Sequence, residues 1–175
     1  GHCIPVDPYY LSWKARAYDF YTKFIELAAE VNQAMPYHVV DLVCQGLSDK
    51  GHPVSGARVL VLGVAFKPDI DDARNSPAER VIELLLAKGA KVDYHDPYVP
   101  DFKVGGDVFL PQHTVMSSIP LDDAVLAEHD CVVIVTGHHA LDYDWVARRA
   151  ALIVDSCNAT ADVRDREALI LRLGA

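Results

Sequence analysis

Arg58-Val59-Leu60-Val61-Leu62-Gly63 is a short, unbroken apolar run that stops at a glycine, as expected of a strand buried on both faces. After a polar loop, Ser76-Pro77-Ala78-Glu79 signals a helix start: a Ser cap, Pro at the first helical position and Glu three residues after the cap. Val81, Ile82, Leu84 and Leu85 carry that helix to Lys88-Gly89, a cationic end and a glycine stop. Outward from this unit, strands are expected at 91–95, 131–135 and 152–155, and helices at 121–128, 143–149 and 164–173. A less regular stretch holds Val108-Phe109-Leu110. Strands alternating with helices imply right-handed crossovers and a mostly parallel sheet covered on both sides.

Upstream, the first 50 residues read as helical. Residues 9–32 carry Leu11, Ala15 and Tyr18, then Phe20, Phe24, Leu27 and Val31, near helical spacing, with a break at 18–22. Pro8 suits a first-turn position, and Pro36 is expected to restart a helix bearing Val39, Val40, Val43, Cys44 and Leu47 on one side. His52-Pro53-Val54-Ser55-Gly56 is the linker candidate. The fold class is therefore α/β: a helical arm followed by a Rossmann-like, mostly parallel α/β sandwich of about 120 residues.

The net charge of −9 over 175 residues argues against a nucleic-acid or anionic-membrane surface, while leaving room for a local phosphate site. No apolar run approaches the length of a membrane span. Cys3, Cys44, Cys131 and Cys157 are far apart and form no C-x-x-C, so neither a zinc site nor a disulfide framework is indicated. Free thiols in a reducing cytoplasm are expected.

In open α/β sheets ligands bind beyond the carboxyl ends of the strands. The first strand ends in Gly63-Val64-Ala65-Phe66-Lys67-Pro68-Asp69-Ile70-Asp71-Asp72-Ala73-Arg74-Asn75, which is not G-x-G-x-x-G. Lys67, Arg74 and the free N–H groups of the helix after Ser76 suit a phosphate or pyrophosphate. Equally, Lys67 and Arg74 can simply pair with Asp69, Asp71 and Asp72. Asp96, after the second strand, fits either a ribose hydroxyl contact or a turn. His138 and His139 are adjacent, so their side chains point apart on an extended chain, and no metal site is expected there.

The chain opens on Gly1-His2-Cys3-Ile4-Pro5-Val6-Asp7-Pro8-Tyr9-Tyr10-Leu11, without an initiator methionine, and the start reads as a cut. A thiolate before a helix is a strong nucleophile, and Asp7 is a carboxylate able to activate water. A lone Cys by a lone Asp is more often structural, and the residues by themselves leave both readings open.

Taken together, that opening segment and Phe66-Lys67-Pro68-Asp69-Ile70-Asp71-Asp72-Ala73-Arg74-Asn75-Ser76-Pro77 resemble the UDP-glucose/GDP-mannose dehydrogenase family. The first looks like its catalytic-cysteine segment, the second like its F-K-x-x-x-x-D-x-R-x-S-P loop. Ile4-Pro5-Val6-Asp7-Pro8-Tyr9-Tyr10 and Asp142-Tyr143-Asp144 are most similar to the UDP-N-acetylhexosamine 6-dehydrogenase branch.

The resemblance implies oxidation of a nucleotide-sugar C6 alcohol to a carboxylate, with NAD as cofactor and a homodimer as the assembly. It implies that Cys3 captures the aldehyde and Asp7 activates water, as catalytic residues. Gly1, Phe66 and Lys67 match substrate-contacting positions, and Arg74 matches a position reaching cofactor or substrate phosphates. Residues 1–55 would be the cysteine loop and central dimerisation helices, and 56–175 the UDP-sugar-binding domain. The domain that would hold most of NAD is not in this chain, so no turnover is expected of it alone.

Two positions depart from the family pattern. UDP-glucose enzymes often carry Lys where Val6 stands, which argues against glucose, and the family commonly has Arg where Cys157 stands. Two other classes compete with the dehydrogenase reading: a non-catalytic UDP-sugar-binding and dimerisation module, and a cysteine-dependent acyl-transfer or hydrolase enzyme.

Overall fold

The computed structural model describes residues 3–106 and 110–173. Five parallel strands form the main sheet: β1 (Arg58–Leu62), β2 (Lys91–His95), β5 (Cys131–Ile134), β6 (Leu152–Asp155) and β7 (Leu169–Arg172). Their spatial order is β2-β1-β5-β6-β7, so the order reverses between β1 and β5. A two-stranded antiparallel ribbon, β3 (Asp101–Val104) and β4 (Thr114–Ser117), follows β2. The helices are α1 (Cys3–Ala15), α2 (Lys23–Asp49), α3 (Pro77–Ala87), α4 (Asp123–Glu128) and α5 (Tyr143–Arg149).

Alternation along the central strands sorts the core into two layers, because successive side chains leave opposite faces of a sheet. Val59 and Val61 of β1, with Cys131, Val133, Leu152 and Val154, meet α2 and α3 through Val39, Val43, Leu47, Val81 and Leu85. Leu60 and Leu62, with Val132, Ile134 and Ile153, meet α4 and α5 through Leu126, Val146 and Ala147. Central strands must be apolar on both faces, which is why β1, β5 and β6 read as continuous apolar runs.

The expected start of α3 is present. Ser76 has extended backbone angles, its Oγ accepts from the Ala78 N–H at 3.3 Å, and Pro77 opens the helix. Asp122 and Asp142 cap α4 and α5 in the same way, through the N–H groups of Val125 and Trp145.

Three expectations need correction. Pro36 does not restart a helix but lies buried inside the continuous α2; losing one N–H donor removes one ladder bond, and the buried Val39, Val40, Val43 and Leu47 hold the axis against the sheet. The helix expected at 164–173 is absent: 164–168 are irregular and Leu169–Arg172 form the edge strand β7, paired with β6 at Leu152↔Leu169. α1 is already helical at Cys3, the first described residue, and does not wait for Pro8, which lies in the helix interior. Val108 and Phe109, from the irregular stretch, lie outside the described residues.

The arm is unlike the rest of the fold. α1 packs against α2 and buries only Ser12, whose hydroxyl donates to Glu26 at 2.6 Å while Arg16 donates to the same carboxylate at 2.8 Å. A short 3-10 turn, Arg16–Tyr18, and Asp19 in the left-handed region provide the break before α2. Ile4, Tyr10, Leu11, Trp13, Phe24 and Leu27 are all exposed.

Candidate functional site

The reversal of strand order puts the carboxyl ends of β1 and β5 side by side, which is where an α/β sheet opens a crevice for ligands. Gly63 ends β1 with φ at +80°, and a Cβ there would lie 2.3 Å from the carbonyl oxygen of Thr136 in the loop after β5. Only glycine permits both that backbone and that approach. Close by, Thr136 Oγ1 donates to the carbonyl of Ala65 at 2.6 Å.

Asp96, at the end of β2, is the hub of this edge. Its fully buried carboxylate accepts the N–H groups of Val64 at 2.7 Å and Ala65 at 3.0 Å, and those of Tyr98 at 2.8 Å and Val99 at 3.1 Å. His138 Nε2 lies 3.0 Å from the same group. Burial alone would raise the Asp96 pKa, but the N–H groups of Tyr98, Val64 and Ala65, with His138, hold it below the usual carboxylate value. The turn role, not a ribose contact, therefore accounts for Asp96.

The loop of 63–76 folds back on itself. The Phe66 N–H donates to the Asp72 carbonyl at 2.8 Å. Arg74 pairs with both oxygens of Asp72, Nε to Oδ1 at 3.0 Å and an η-nitrogen to Oδ2 at 2.7 Å, and its side chain is 79% exposed. Asp69 and Asn75 both adopt left-handed angles, φ 60° and 56°, an uncommon conformation for residues with a Cβ. The Asp69 carboxylate accepts from the His139 N–H at 3.0 Å and contacts the His139 ring.

Two readings of the loop cations were open, and the structure divides them. Arg74 is ion-paired within the loop, whereas Lys67 is exposed and has no carboxylate partner among the described residues. An unpaired ammonium on the loop that leads from β1 to α3 is what an anionic ligand needs. Phe66 stands beside it, half-buried. Phe66, Lys67 and Arg74 are thus gathered in one loop.

Cys3 and Asp7 stand elsewhere, on the arm. Both are exposed, and four residues apart in α1 they share one helix face. Gly1 lies outside the described residues. Cys157 sits in the loop after β6, with Asp155 Oδ1 3.7 Å from its sulfur, and partial burial followed by that carboxylate pushes its thiol up to about 11.

Sequence reading missed the anchors of that last loop. Asp155 receives the N–H groups of Cys157, Ala159 and Thr160, and the Thr160 hydroxyl at 2.6 Å. Arg172 of β7 then donates to Thr160. An Asp closing an apolar strand before Ser, Asn and Thr was the available signal. Among the described residues no cluster of three or more His, Cys, Asp or Glu side chains could hold a metal, and no helix is long and apolar enough to cross a membrane.

Residues 60–162 match the UDP binding domain of the UDP-glucose/GDP-mannose dehydrogenase family. The chain is 31% identical over 138 residues to the UDP-N-acetyl-D-glucosamine 6-dehydrogenase of Salmonella typhi, covering 79% of this chain and 31% of that protein. It is 31% identical over 166 residues to the UDP-N-acetyl-D-mannosamine dehydrogenase of Methanococcus vannielii, covering 90% and 34%. The solved UDP-D-ManNAc dehydrogenase of Pyrococcus horikoshii superposes with a TM-score of 0.79 at 26% identity, covering 99% of this chain and 38% of that one. The chain therefore spans about a third of the length of these relatives. Joined to a parallel sheet that presents Phe66, Lys67 and Arg74 at its switch point, that match places the chain in the UDP-glucose/GDP-mannose dehydrogenase family, whose UDP-binding domain it carries.

Proposed function

We propose that this chain is the C-terminal, UDP-sugar-binding part of a cytoplasmic NAD-dependent 6-dehydrogenase acting on a UDP-N-acetylhexosamine. The observation that carries the binding half of this proposal is Lys67: exposed, unpaired among the described residues, and held on the loop between β1 and the start of α3. A diphosphate is the anion best suited to a point cation on a loop leading to a helix N-terminus. Arg74 is a further phosphate contact, for substrate or cofactor. Its pair with Asp72 is solvent-exposed and therefore weak, so a phosphate can displace it.

The catalytic half rests on Cys3 and Asp7. The Cys3 thiolate adds to the C6 aldehyde carbon, forming a carbon–sulfur bond and a thiohemiacetal. At a Cys3 thioester, Asp7 would take a proton from water, which would attack the same carbon; the carbon–sulfur bond would break, the uronate would leave and the proton would pass to the freed thiolate. NAD would accept the hydrides. Beyond a phosphate contact at Arg74, the described residues do not make up a dinucleotide site, because the loop after β1 lacks G-x-G-x-x-G and Asp96 is fully engaged by backbone N–H groups and His138. No hydride step is assigned to them.

Titration of the chain with UDP by calorimetry tests the binding half. Saturable binding weakened about tenfold by Lys67→Ala is expected, the loss of one charge-assisted contact. No binding of UDP, or binding indifferent to Lys67, overturns the proposal. In the same chain, UDP-N-acetylglucosamine with NAD should yield no NADH, since no group of described residues fits nicotinamide beside C6.

A further inference from the structure

We infer that His138 is a positioning residue for Lys67, an inference that rests on the UDP-binding role proposed above. His138 lies in the loop after β5, is fully buried, and packs against the Tyr98 ring with centroids 5.2 Å apart. The backbone N–H of Asp69 points at its Nδ1 from 3.0 Å. An amide N–H can only donate, so Nδ1 carries a lone pair and the ring proton is on Nε2, from where it is donated to Asp96 at 3.0 Å. Asp96 is itself fixed by four backbone N–H groups, so the ring has no freedom to turn.

Asp69 is the point this ring holds. Its left-handed backbone is costly for a residue with a Cβ and persists only where its surroundings impose it. His138 takes its N–H, while the next residue, His139, takes its carboxylate. That second contact also occupies the acid nearest Lys67 in sequence, which keeps the ammonium available. Only Pro68, with its fixed φ, separates Lys67 from this anchor, and the Phe66–Asp72 backbone bond closes the loop on the other side. The place of the Lys67 backbone on the sheet edge therefore follows from the His138–Asp69 bond, although His138 itself is buried beneath the loop.

The two ring nitrogens can be tested separately. His138→Asn keeps an acceptor where Nδ1 stands and gives up the bond to Asp96. His138→Gln keeps a donor where Nε2 stands and gives up the acceptor for Asp69. With UDP as the probe and the full chain as the protein, His138→Asn should bind within about threefold of the unsubstituted chain, and His138→Gln about tenfold more weakly. Lys67→Ala should then cost less than about twofold in the His138→Gln background, because the two act as one unit. Urea midpoints establish that the variants are folded.

A second readout needs no substitution. UDP held by Lys67 should slow amide exchange at Asp69 in the unsubstituted chain, by the reciprocity of linked equilibria. Equal UDP affinity for His138→Gln and the unsubstituted chain, a full Lys67→Ala effect in the His138→Gln background, or Asp69 exchange unmoved by UDP each overturns the positioning role alone. Failure of the unsubstituted chain to bind UDP overturns the binding proposal and this inference with it.

Discussion

The carboxylate of Asp96, at the end of β2, accepts the backbone N–H of Val64 at 2.7 Å and so holds the turn after the neighbouring strand β1. The same group receives three further N–H bonds and faces His138. One side chain thereby joins the loops after β1, β2 and β5.

Asp96→Asn should destabilise the fold by about 3 kcal/mol near neutral pH, because an amide N–H₂ then faces donors that had a carboxylate. The folded-state pKa of Asp96 is depressed, so its stabilisation is present above the usual carboxylate range and is lost as pH falls through the folded value. Urea unfolding at a series of pH values should show the two proteins converging below about pH 4. A gap independent of pH would mean that the carboxylate charge is not what holds the edge.

Gly63→Ala should cost about 3 kcal/mol or more, from left-handed strain together with overpacking. The added Cβ would lie 2.3 Å from the Thr136 carbonyl oxygen, which is backbone, so trimming the Thr136 side chain should not rescue the variant. Thermal unfolding of Gly63→Ala alone and with Thr136→Ser checks both points.

Alkylation followed by peptide mass spectrometry should rank the thiols. Cys3 is exposed at the first residue of α1 and should react first at pH 8. Cys157 is exposed, but with its thiol at about 11 only about one molecule in a thousand is thiolate at that pH. Cys131 is fully buried and its thiol is pushed up by that burial, so it should react only on unfolding. Labelling of Cys157 ahead of Cys3 would count against Cys3 as the reactive group.

The homodimer that the family resemblance implies makes a prediction about the arm. Phe24 is 88% exposed on α2, with Leu27 and Val31 on later turns, an apolar stripe that a second copy would cover. Sedimentation should show a dimer that Phe24→Lys with Leu27→Lys converts to monomer, without change in the urea midpoint of the sheet. A monomeric unsubstituted chain would count against that dimer.

Legibility in the sequence followed the range of the interactions. The β1 run, the Ser76-Pro77 start and the Lys88-Gly89 end of α3 were readable because each depends on neighbours within one or two turns. The β3–β4 ribbon was missed, although Asp101–Val104 alternates exposed and buried with the two-residue period of a strand. Residues 169–172 were misread as helix because a short apolar run does not declare its period. Pairing with β6 decided the matter.

By itself the sequence determined the α/β class, the helical arm before it, and the loop bearing Phe66, Lys67 and Arg74, since burial on two faces and capping chemistry are written in local patterns. Only the tertiary structure decided that Lys67 is unpaired among the described residues while Arg74 is not, and that Asp96 serves the turn and not a ligand. It alone joined His138 to Asp69, 69 residues away in the chain. Hydrogen bonds between loops depend on strand order and register, which no local pattern encodes, and here the parallel register of β1 with β2 and β5 brings those loops together.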